Sequence, residues 1–316
     1  MGLAIGVDVG GTKVAAGVVD DAGAVLARLR RPTPSDSAAD TERVIAEVVG
    51  ELRSAHPAVA AVGIGAAGWV SADRATVVYA PNLAWRDEPL RDRVAAAVDL
   101  PVTVENDANA AAWAEHRFGA ARGIDDVVLV TVGTGIGTGI IVGGRLCRGG
   151  FGMAGEAGHM TVEPDGRECG CGQRGCWEQY ASGNALVRLA RDRAAADPAA
   201  ASRVLREAAG GVDTLVGPAV TAAAEGGDPF ARGCLDEVGR RLGAGLAMLA
   251  ALLDPRVFVI GGGLADAGDL LLGPAQAEFR ARLPGGSHRP PAALRSAALG
   301  NEAGLVGAAD LARLTA

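Results

Sequence analysis

The sequence is poor in lysine and in aromatic residues. Aromatics make up 3% of its 316 residues, and its 30 basic residues are all arginines except Lys13. Proteins that stack on single-stranded nucleic acid need aromatic platforms, and proteins that neutralise a phosphate backbone carry positive charge. This chain has a formal net charge of -7. We therefore expect no nucleic-acid partner.

Long apolar runs and a targeting signal are also missing. The longest apolar helical stretch, LGAGLAMLAALL at 242–253, ends at Asp254-Pro255 and is shorter than the ~20 residues that span a bilayer. The start, MGLAIGVDVGG, has no basic segment before its apolar run. The sequence predicts a soluble cytoplasmic protein with no membrane partner, and its 5 cysteines, an odd number, argue against a disulfide framework.

Apolar runs and glycine turns organise a chain that is long enough for two domains. Strands are predicted at 3–9, 14–19, 24–29, 59–64, 102–105 and 257–260, and helices at 40–52, 90–98, 108–118, 269–283 and 303–314, with mostly helix over 184–253. VTVGTGIGTGIIVGG at 130–144 repeats the pattern of VDVGGTKVAAGVVDDAG at 7–23. This similarity suggests a duplicated architecture with one glycine hairpin in each half.

Three glycine turns that follow strands are candidates for binding phosphate. They are Gly10-Gly11-Thr12-Lys13, Gly133-Thr134-Gly135-Ile136-Gly137 and Gly261-Gly262-Gly263. Such turns present backbone N–H groups to an anion, although each one alone is equally typical of a strand connection. Lys13 adds an ammonium group, and Asp8 offers a carboxylate for Mg²⁺ unless it is only a turn residue. The three turns together favour a nucleotide.

Two common nucleotide-binding motifs do not fit this sequence. The G-x-G-x-x-G at 63–68 is followed by extended residues rather than by the helix that a dinucleotide-binding fold requires. The P-loop pattern G-x-x-x-x-G-K-[ST] does not occur. We therefore exclude a Rossmann dehydrogenase and a P-loop NTPase.

Three of the cysteines lie close together in the sequence. Cys169, Cys171 and Cys176 follow His159 and alternate with glycines. Three thiolates and an imidazole form the closed tetrahedral ligand set of a structural zinc site, whereas incidental core cysteines are the alternative. We predict a zinc ion that organises the chain and has no open position for a substrate.

Carboxylates flank this predicted zinc site and one strand end. Glu156 and Glu178 lie beside zinc ligands, so a bound metal would also fix them, although solvated surface glutamates are the more usual interpretation. Glu105-Asn106-Asp107 joins a predicted strand to a helix. Asp107 is either a helix N-cap or a catalytic carboxylate that orients a hydroxyl for phosphoryl transfer.

Together these motifs resemble the ROK family of repressors and sugar kinases, and among them its bacterial glucokinases. The resemblance covers essentially the whole chain. It rests on DVGGTK at 8–13, ENDAN at 105–109, GTGIG at 133–137, GEAGH at 155–159 and CGCGQRGCWE at 169–178. The last two motifs, in that order, are the most specific.

The resemblance implies an α/β fold of the actin-like (ribonuclease H-like) ATPase type, with two lobes and a cleft between them. Residues 1–118 and the C-terminal helix at 303–316 would form the smaller lobe, and 119–302 the larger lobe with the zinc site. ATP phosphates would lie on the two glycine hairpins (Gly10, Gly11, Thr12 and Lys13; Thr134 and Gly135), with Mg²⁺ near Asp8. Gly262 and Gly263 would border the nucleoside.

The same resemblance implies ATP-dependent phosphorylation of glucose at its 6-hydroxyl, with Asp107 as the base. The sugar contacts would be Gly68, Asn106, Asp107, Glu156, His159 and Glu178. His159 would bind zinc through one ring nitrogen and the sugar through the other. The loop at 65–69 lacks the proline of many relatives, so its shape stays open.

Several alternatives remain. The substrate could be mannose, fructose or N-acetylmannosamine, and polyphosphate could replace ATP as the donor. A sugar-sensing repressor would need a DNA-binding segment before the first hairpin, and we expect no room for one before Leu3. A catalytically inactive sugar-binding scaffold conflicts with Asp107 and the glycine turns. Family analogy suggests a homodimer or homotetramer.

Overall fold

The computed structural model describes residues 2–207 and 211–315. Its strands are β1 (Leu3–Val9), β2 (Lys13–Val19), β3 (Val25–Pro32), β4 (Val59–Ala66), β5 (Trp69–Val70), β6 (Val77–Tyr79), β7 (Arg86–Glu88), β8 (Val102–Asn106), β9 (Val127–Val132), β10 (Ile136–Val142), β11 (Arg145–Leu146), β12 (Val257–Gly261) and β13 (Ala293–Ser296). Its α-helices are α1 (Ala38–Ala55), α2 (Leu90–Val98), α3 (Asp107–Arg117), α4 (Glu178–Ala181), α5 (Gly183–Ala196), α6 (Ser202–Glu207), α7 (Gly217–Glu225), α8 (Pro229–Leu253), α9 (Asp269–Arg282) and α10 (Ala303–Thr315).

The first sheet has the strand order β3-β2-β1-β4-β8. β1, β2 and β3 form an antiparallel meander, whereas β4 lies parallel to β1 and β8 parallel to β4. The apolar residues of β1 and β4 are almost all buried, as expected for central strands. Because β1, β4 and β8 are parallel, their carboxyl ends meet at one edge of the sheet.

The second five-stranded sheet has the order β11-β10-β9-β12-β13. If the strands of each sheet are numbered from that sheet's own first strand, both sheets have the same order. In each, the second and third strands lie on one side of the first strand, and two later strands lie on its other side. Both glycine hairpins therefore occupy equivalent positions. The strand orders support the duplicated architecture that the sequence suggests.

Helix α10 packs against β1, β4 and α3, so the C-terminal helix returns to the first half of the fold. Its approach is close, since a Cβ at Gly63 would lie 3.0 Å from the backbone N of Ala309 and closer still to the carbonyl of Ala308. The core beneath consists mainly of Val, Ile, Leu and Ala, with Trp85 the largest buried side chain in this part of the chain.

The chain divides into two compact units. Unit 1 comprises Met1–Leu129, Thr138–Gly155 and Ala297–Ala316, and unit 2 comprises Val130–Gly137 and Glu156–Ser296. Unit 1 also contains 119–129, 138–155 and 297–302, which the resemblance placed in the larger lobe. Two contacts hold 138–155 to unit 1: Gly139 lies against Ala108 and Ala112 of α3, and Arg148 pairs with Glu105.

Among the helices within 2–207 and 211–315, none has both the length and the apolar character to cross a bilayer. The longest, α8, has 25 residues and is capped by Asp228 at its start. At its end Asp254 takes a left-handed conformation, with φ 45°, which agrees with the predicted stop at Asp254-Pro255.

Candidate active site and metal centre

Unit 1 gathers acidic and amide side chains at the carboxyl edge of its sheet. The parallel register aligns Asp8 with Gly65, and Gly65 with Glu105. One residue further on, Ala66 aligns with Asn106. The sheet therefore brings the predicted magnesium ligand and the predicted catalytic segment to the same edge.

Asp8 is partly buried beside the start of α10. Burial raises the pKa of this carboxyl to about 6, although the nearby Lys13 ammonium opposes the rise. A Cβ at Gly304 would lie 3.1 Å from the Asp8 carboxylate, so the helix leaves room for the acid only because it has a glycine here. A partly desolvated carboxylate of this kind is suited to binding a cation.

The first glycine turn is a tight hairpin between β1 and β2. The N–H of Gly10 donates to the carbonyl of Lys13 at 3.0 Å, and the Thr33 hydroxyl donates to the carbonyl of Gly10 at 2.8 Å. The side chain of Thr12 is exposed at the tip. None of the residues 10–13 has a positive φ. The Thr33 hydroxyl stabilises the turn from one side.

Helix α3 begins with Asn106 as its N-cap. The Asn106 side-chain oxygen accepts from the N–H of Asn109 at 3.0 Å, and its amide nitrogen donates to the carbonyl of Gly68 at 3.1 Å. The N-cap alternative for Asp107 is therefore wrong: Asp107 is the first helical residue, and its Oδ1 accepts from the N–H of Ala108 at 2.9 Å. Asn106 also links the predicted sugar loop to the start of α3 by a hydrogen bond.

Glu105, which the sequence did not assign to a role, is the most buried acid of this edge. Its side chain is 1% exposed, and one oxygen lies 3.0 Å from Nε of Arg74 and 2.7 Å from Nε of Arg148. The other oxygen accepts from Asn109 Nδ2 at 3.1 Å. Its position immediately before Asn106-Asp107 was a signal that it belongs to the site, but nothing in the sequence indicated either arginine.

The second glycine turn and the third lie together in unit 2. Leu264, just after Gly263, donates its N–H to the carbonyl of Val132 at 2.9 Å, and the N–H of Gly183 donates to the carbonyl of Gly133 at 2.7 Å. These bonds place the ends of β9 and β12 beside the start of α5. The second and third glycine turns, which carry Thr134, Gly135, Gly262 and Gly263, therefore lie next to each other.

A cavity of about 640 Å³ opens beside these turns. Residues of three kinds of element line it: glycine turns, α5 and α7, among them Gly133, Thr134, Asn184, Thr221 and Gly263. Its volume is typical of small-molecule sites, which are mostly apolar with a few placed polar groups. The helical side of this cavity, from α5 and α7, was not predicted.

Glu178 lies at the other side of the second glycine turn. A Cβ at Gly135 would overlap its carboxylate, so a larger residue in the turn would displace the end of this side chain. Oε1 of Glu178 accepts from the Cys169 thiol at 3.0 Å and lies 3.8 Å from Nδ1 of His159. The acid is therefore held between the glycine turn and the cysteine cluster.

His159, Cys169, Cys171 and Cys176 come together as predicted, with their ligand atoms all within 4.8 Å of one another. The Sγ atoms of Cys171 and Cys176 are 3.6 Å apart, and Nδ1 of His159 is 3.6 Å from Sγ of Cys169. A tetrahedral zinc with Zn–S bonds of about 2.3 Å has ligands about 3.7 Å apart. The cluster fits zinc.

The chemistry of the thiols agrees with this fit. All five cysteines of the chain are free, and burial, together with neighbouring thiols, raises the pKa of Cys176 to about 12. Closely packed thiols resist ionisation unless a cation lies between them, and a zinc ion held by these residues would supply that charge. His159 turns its other nitrogen, Nε2, to within 3.9 Å of a carboxylate oxygen of Glu156.

The predicted residues thus fall into two groups. Unit 1 holds Asp8, Gly10, Gly11, Thr12, Lys13, Gly68, Asn106 and Asp107, whereas unit 2 holds Thr134, Gly135, Glu156, His159, Cys169, Cys171, Cys176, Glu178, Gly262 and Gly263. Of these residues, His159, Cys169, Cys171 and Cys176 form one cluster. Unit 1 carries the acidic side chains of the sheet edge, and unit 2 carries the cysteine cluster and the cavity.

Comparison with known proteins identifies the family of this chain. The model of the ROK family matches residues 4–314. The chain belongs to the ROK family. It is 53% identical over 313 residues to a glucokinase of Streptomyces coelicolor, across 99% of this chain and 98% of the relative.

Solved ROK structures match at full length. A ROK family glucokinase from Streptomyces griseus, in complex with glucose and AMPPNP, has a TM-score of 0.91 and 54% identity, covering 99% of this chain and 100% of that one. A ROK hexokinase from Thermus thermophilus has a TM-score of 0.82 and 36% identity, covering 99% and 98%. The predicted two-domain, actin-like ATPase fold is confirmed.

Proposed function

We propose that this ROK protein is a glucokinase, which transfers the γ-phosphate of MgATP to the 6-hydroxyl of glucose. The observation that carries the proposal is the full-length match, at a TM-score of 0.91, to a kinase that binds glucose and an ATP analogue. The residues that such a reaction requires are present in both units. A coupled assay of glucose 6-phosphate formation tests it directly.

The cavity of unit 2 supports a nucleotide as the phosphoryl donor. At about 640 Å³ it is large enough for a nucleoside, and it opens beside Thr134 and Gly263 at the glycine turns. Asn184 and Thr221 offer polar groups to a base or ribose. A linear polyphosphate has no nucleoside to fill this cavity, so we propose ATP as the preferred donor.

Asp107 is proposed as the base. Its carboxylate is fixed at the start of α3 by the N–H of Ala108, and it would accept the proton of the 6-hydroxyl as that oxygen attacks in line. Because the transition state is loose, orientation of the hydroxyl contributes more than the strength of the base. Asn106 already donates from its side-chain amide to the carbonyl of Gly68, and its remaining amide hydrogen would donate to the sugar.

Asp8 and the cysteine cluster hold the ions. We propose that the Asp8 carboxylate binds Mg²⁺, directly or through water, while Lys13 and the turn amides bind phosphate oxygens. His159, Cys169, Cys171 and Cys176 would hold zinc, which would keep the segment that carries Glu156, His159 and Glu178 in place, and Mg²⁺ held by Asp8 would supply positive charge beside the phosphates. These three side chains would bind the other hydroxyls of the sugar.

The assay compares glucose with mannose, fructose and N-acetylmannosamine, and ATP with polyphosphate. Asp107→Asn keeps the shape of the side chain and removes the base, so we expect kcat to fall about 10²–10⁴-fold while glucose still binds. Asp99→Asn, an exposed aspartate after α2 with φ 51°, is the matched control. Normal turnover by Asp107→Asn would refute the role of this residue.

A cytoplasmic homodimer or homotetramer is also proposed. ATP as donor and five free thiols both suit a reducing compartment. Met248 and Leu252 on the outer side of α8 are exposed, at 41% and 76%, and would be covered in an oligomer. Light scattering of wild type and of Leu252→Glu tests this, since a monomer in both cases contradicts the prediction.

A further inference from the structure

We infer that Glu105 and Arg148 are positioning residues for phosphoryl transfer, acting on Asp107 and on the loop that leads to Glu156. The inference rests on the proposed function, since it concerns the same reaction. Neither residue belongs to the sugar or nucleotide contacts proposed above. Both act through the backbone segments that they hold.

Glu105 is the centre of a network that includes the catalytic turn. One of its oxygens accepts from the N–H of Asn106 at 3.0 Å and from Nδ2 of Asn109 at 3.1 Å. Both donors lie within the turn that joins β8 to α3 and carries Asp107. The carboxylate therefore fixes this turn from inside unit 1, where its side chain is only 1% exposed.

The second oxygen of Glu105 holds the two arginines. Nε of Arg74 lies 3.0 Å away and Nε of Arg148 lies 2.7 Å away. Arg74 sits in the turn at 71–74, which follows the predicted sugar loop at 65–69, and its carbonyl accepts from the N–H of Val104 in β8 at 3.2 Å. β8 is thus joined to this turn by the Glu105–Arg74 ion pair and by one backbone hydrogen bond.

Arg148 extends the network to a third segment. Its side chain is 11% exposed, and its two terminal nitrogens donate to the carbonyls of Ala72 at 2.7 Å and Ser71 at 2.9 Å. The loop at 148–155 also touches the same turn through Gly152, where φ is 88° and a Cβ would lie 2.6 Å from Ala72 N. One arginine therefore clamps the 148–155 loop to the 71–74 turn.

The 148–155 loop matters because Glu156 is the next residue along the chain. Gly155 ends the loop with φ 99°, and its carbonyl accepts from the Thr138 hydroxyl. A shift at Arg148 would therefore move the point from which the Glu156-His159 segment departs. Breaking a buried ion pair leaves an uncompensated charge, and the surrounding backbone relaxes to solvate it. Displacements of about 1 Å are enough to reduce turnover about 10²-fold.

The test is steady-state kinetics of Glu105→Gln, Arg148→Met and the double variant. We expect each single variant to lower kcat about 10–100-fold with the KM for ATP within about threefold of wild type. The double variant should be no worse than the poorer single variant, because the two residues act as one unit. Multiplied losses in the double variant, or a kcat within twofold of wild type in Glu105→Gln, would overturn the inference.

Two further variants separate positioning from folding. Arg148→Lys keeps the charge beside Glu105, but one ammonium cannot reproduce the planar fork that reaches a carboxylate and two carbonyls, so kcat should still fall. Arg53→Met is the matched control: Arg53 also donates to two carbonyls in unit 1, those of Val98 and Asp99. A loss of thermal stability with full kcat below the transition would show a structural role only, and so would equal kinetic losses in Arg53→Met.

The outcome is distinguishable from failure of the proposed function. If wild type phosphorylates glucose and Asp107→Asn does not, the proposed function stands whatever Glu105→Gln does. If wild type prefers another hexose, the same comparison is made with that sugar. A wild-type protein inactive with every hexose and donor would overturn both.

Discussion

Adding a single methyl group at Gly245 should disturb the metal centre through Trp177. Gly245 lies in α8 and faces the indole of Trp177, which is completely buried and donates from Nε1 to the carbonyl of Arg241 at 2.9 Å. A Cβ at this glycine would lie 2.5 Å from that Nε1 and closer still to two carbon atoms of the ring. In the sequence Trp177 stands between Cys176, a predicted zinc ligand, and Glu178, a proposed sugar ligand.

The expected cost follows from this overlap. Normal contact needs about 3.5–4 Å between carbon atoms, so the ring or α8 has to move by about 1 Å or more in a closely packed interior. Overpacking of this size typically costs 1–3 kcal/mol, and because the overlap involves a rigid ring we expect about 3 kcal/mol for Gly245→Ala. Zinc affinity should fall and the KM for glucose should rise, since both neighbours of Trp177 move with it.

Urea unfolding, zinc content and glucose kinetics measure these effects. Gly50→Ala is the matched control, because Gly50 also lies inside a helix, α1, and has nothing within 4 Å of an added Cβ. The control should be neutral or stabilised by up to about 1 kcal/mol through helix propensity. If Gly245→Ala were as stable as Gly50→Ala, the packing argument would be wrong.

Three more predictions concern charge and metal. Because the pKa of Asp8 is raised to about 6, its magnesium-binding form is lost as pH falls through 6, so kcat/KM for MgATP should fall there; an unchanged value down to pH 5 would contradict this. Burial, with Glu88 alongside, raises the pKa of Glu42 to about 7. The folded state then holds this proton more tightly than the unfolded state, and the free energy of unfolding decreases as pH rises from about 4.5 to 7. Glu42→Gln should remove that decrease and be more stable at pH 8 by on the order of 2 kcal/mol in urea titrations. Cys176→Ser should lose zinc and raise the KM for glucose, whereas Cys234→Ser, at a buried thiol outside the cluster, should keep its metal; equal zinc by elemental analysis in both would refute the ligand assignment.

Local patterns predicted most of the elements. Long apolar runs gave β1, β4, β12 and the larger helices to within a few residues, because burial on both faces of a central strand leaves a continuous apolar signal. The short strands β7, β11 and β13 were not predicted. Their pairing depends on neighbours that are distant in the sequence, and a strand of two to four residues is too short to show a hydrophobic period. β3 was predicted to end at residue 29 but continues to Pro32, because its pairing with β2 extends that far.

The same distinction applies to the site. The cysteine cluster was predictable because three of its ligands lie within eight positions and one short segment must fold around the metal. The role of Asn106 as N-cap was missed because its neighbour Asp107 is an equally good cap by residue type. Arg148 could not be predicted, since arginine is almost the only basic residue of this chain and its partner, Glu105, lies far away in the sequence.

The carboxyl edge of the first sheet places several acids close together, and the structure gives each one different surroundings. Asp8 and Glu105 occupy the same cross-strand row, with the glycine of β4 between them, so their backbones are separated by about 10 Å. Two arginines neutralise Glu105, which is therefore committed to holding backbone. Asp8 has one nearby cation, Lys13, and a raised pKa, so it gains most from a further cation. Because Glu105 is already paired, a cation at this edge would gain more from Asp8 than from Glu105, as the proposed binding of Mg²⁺ by Asp8 requires.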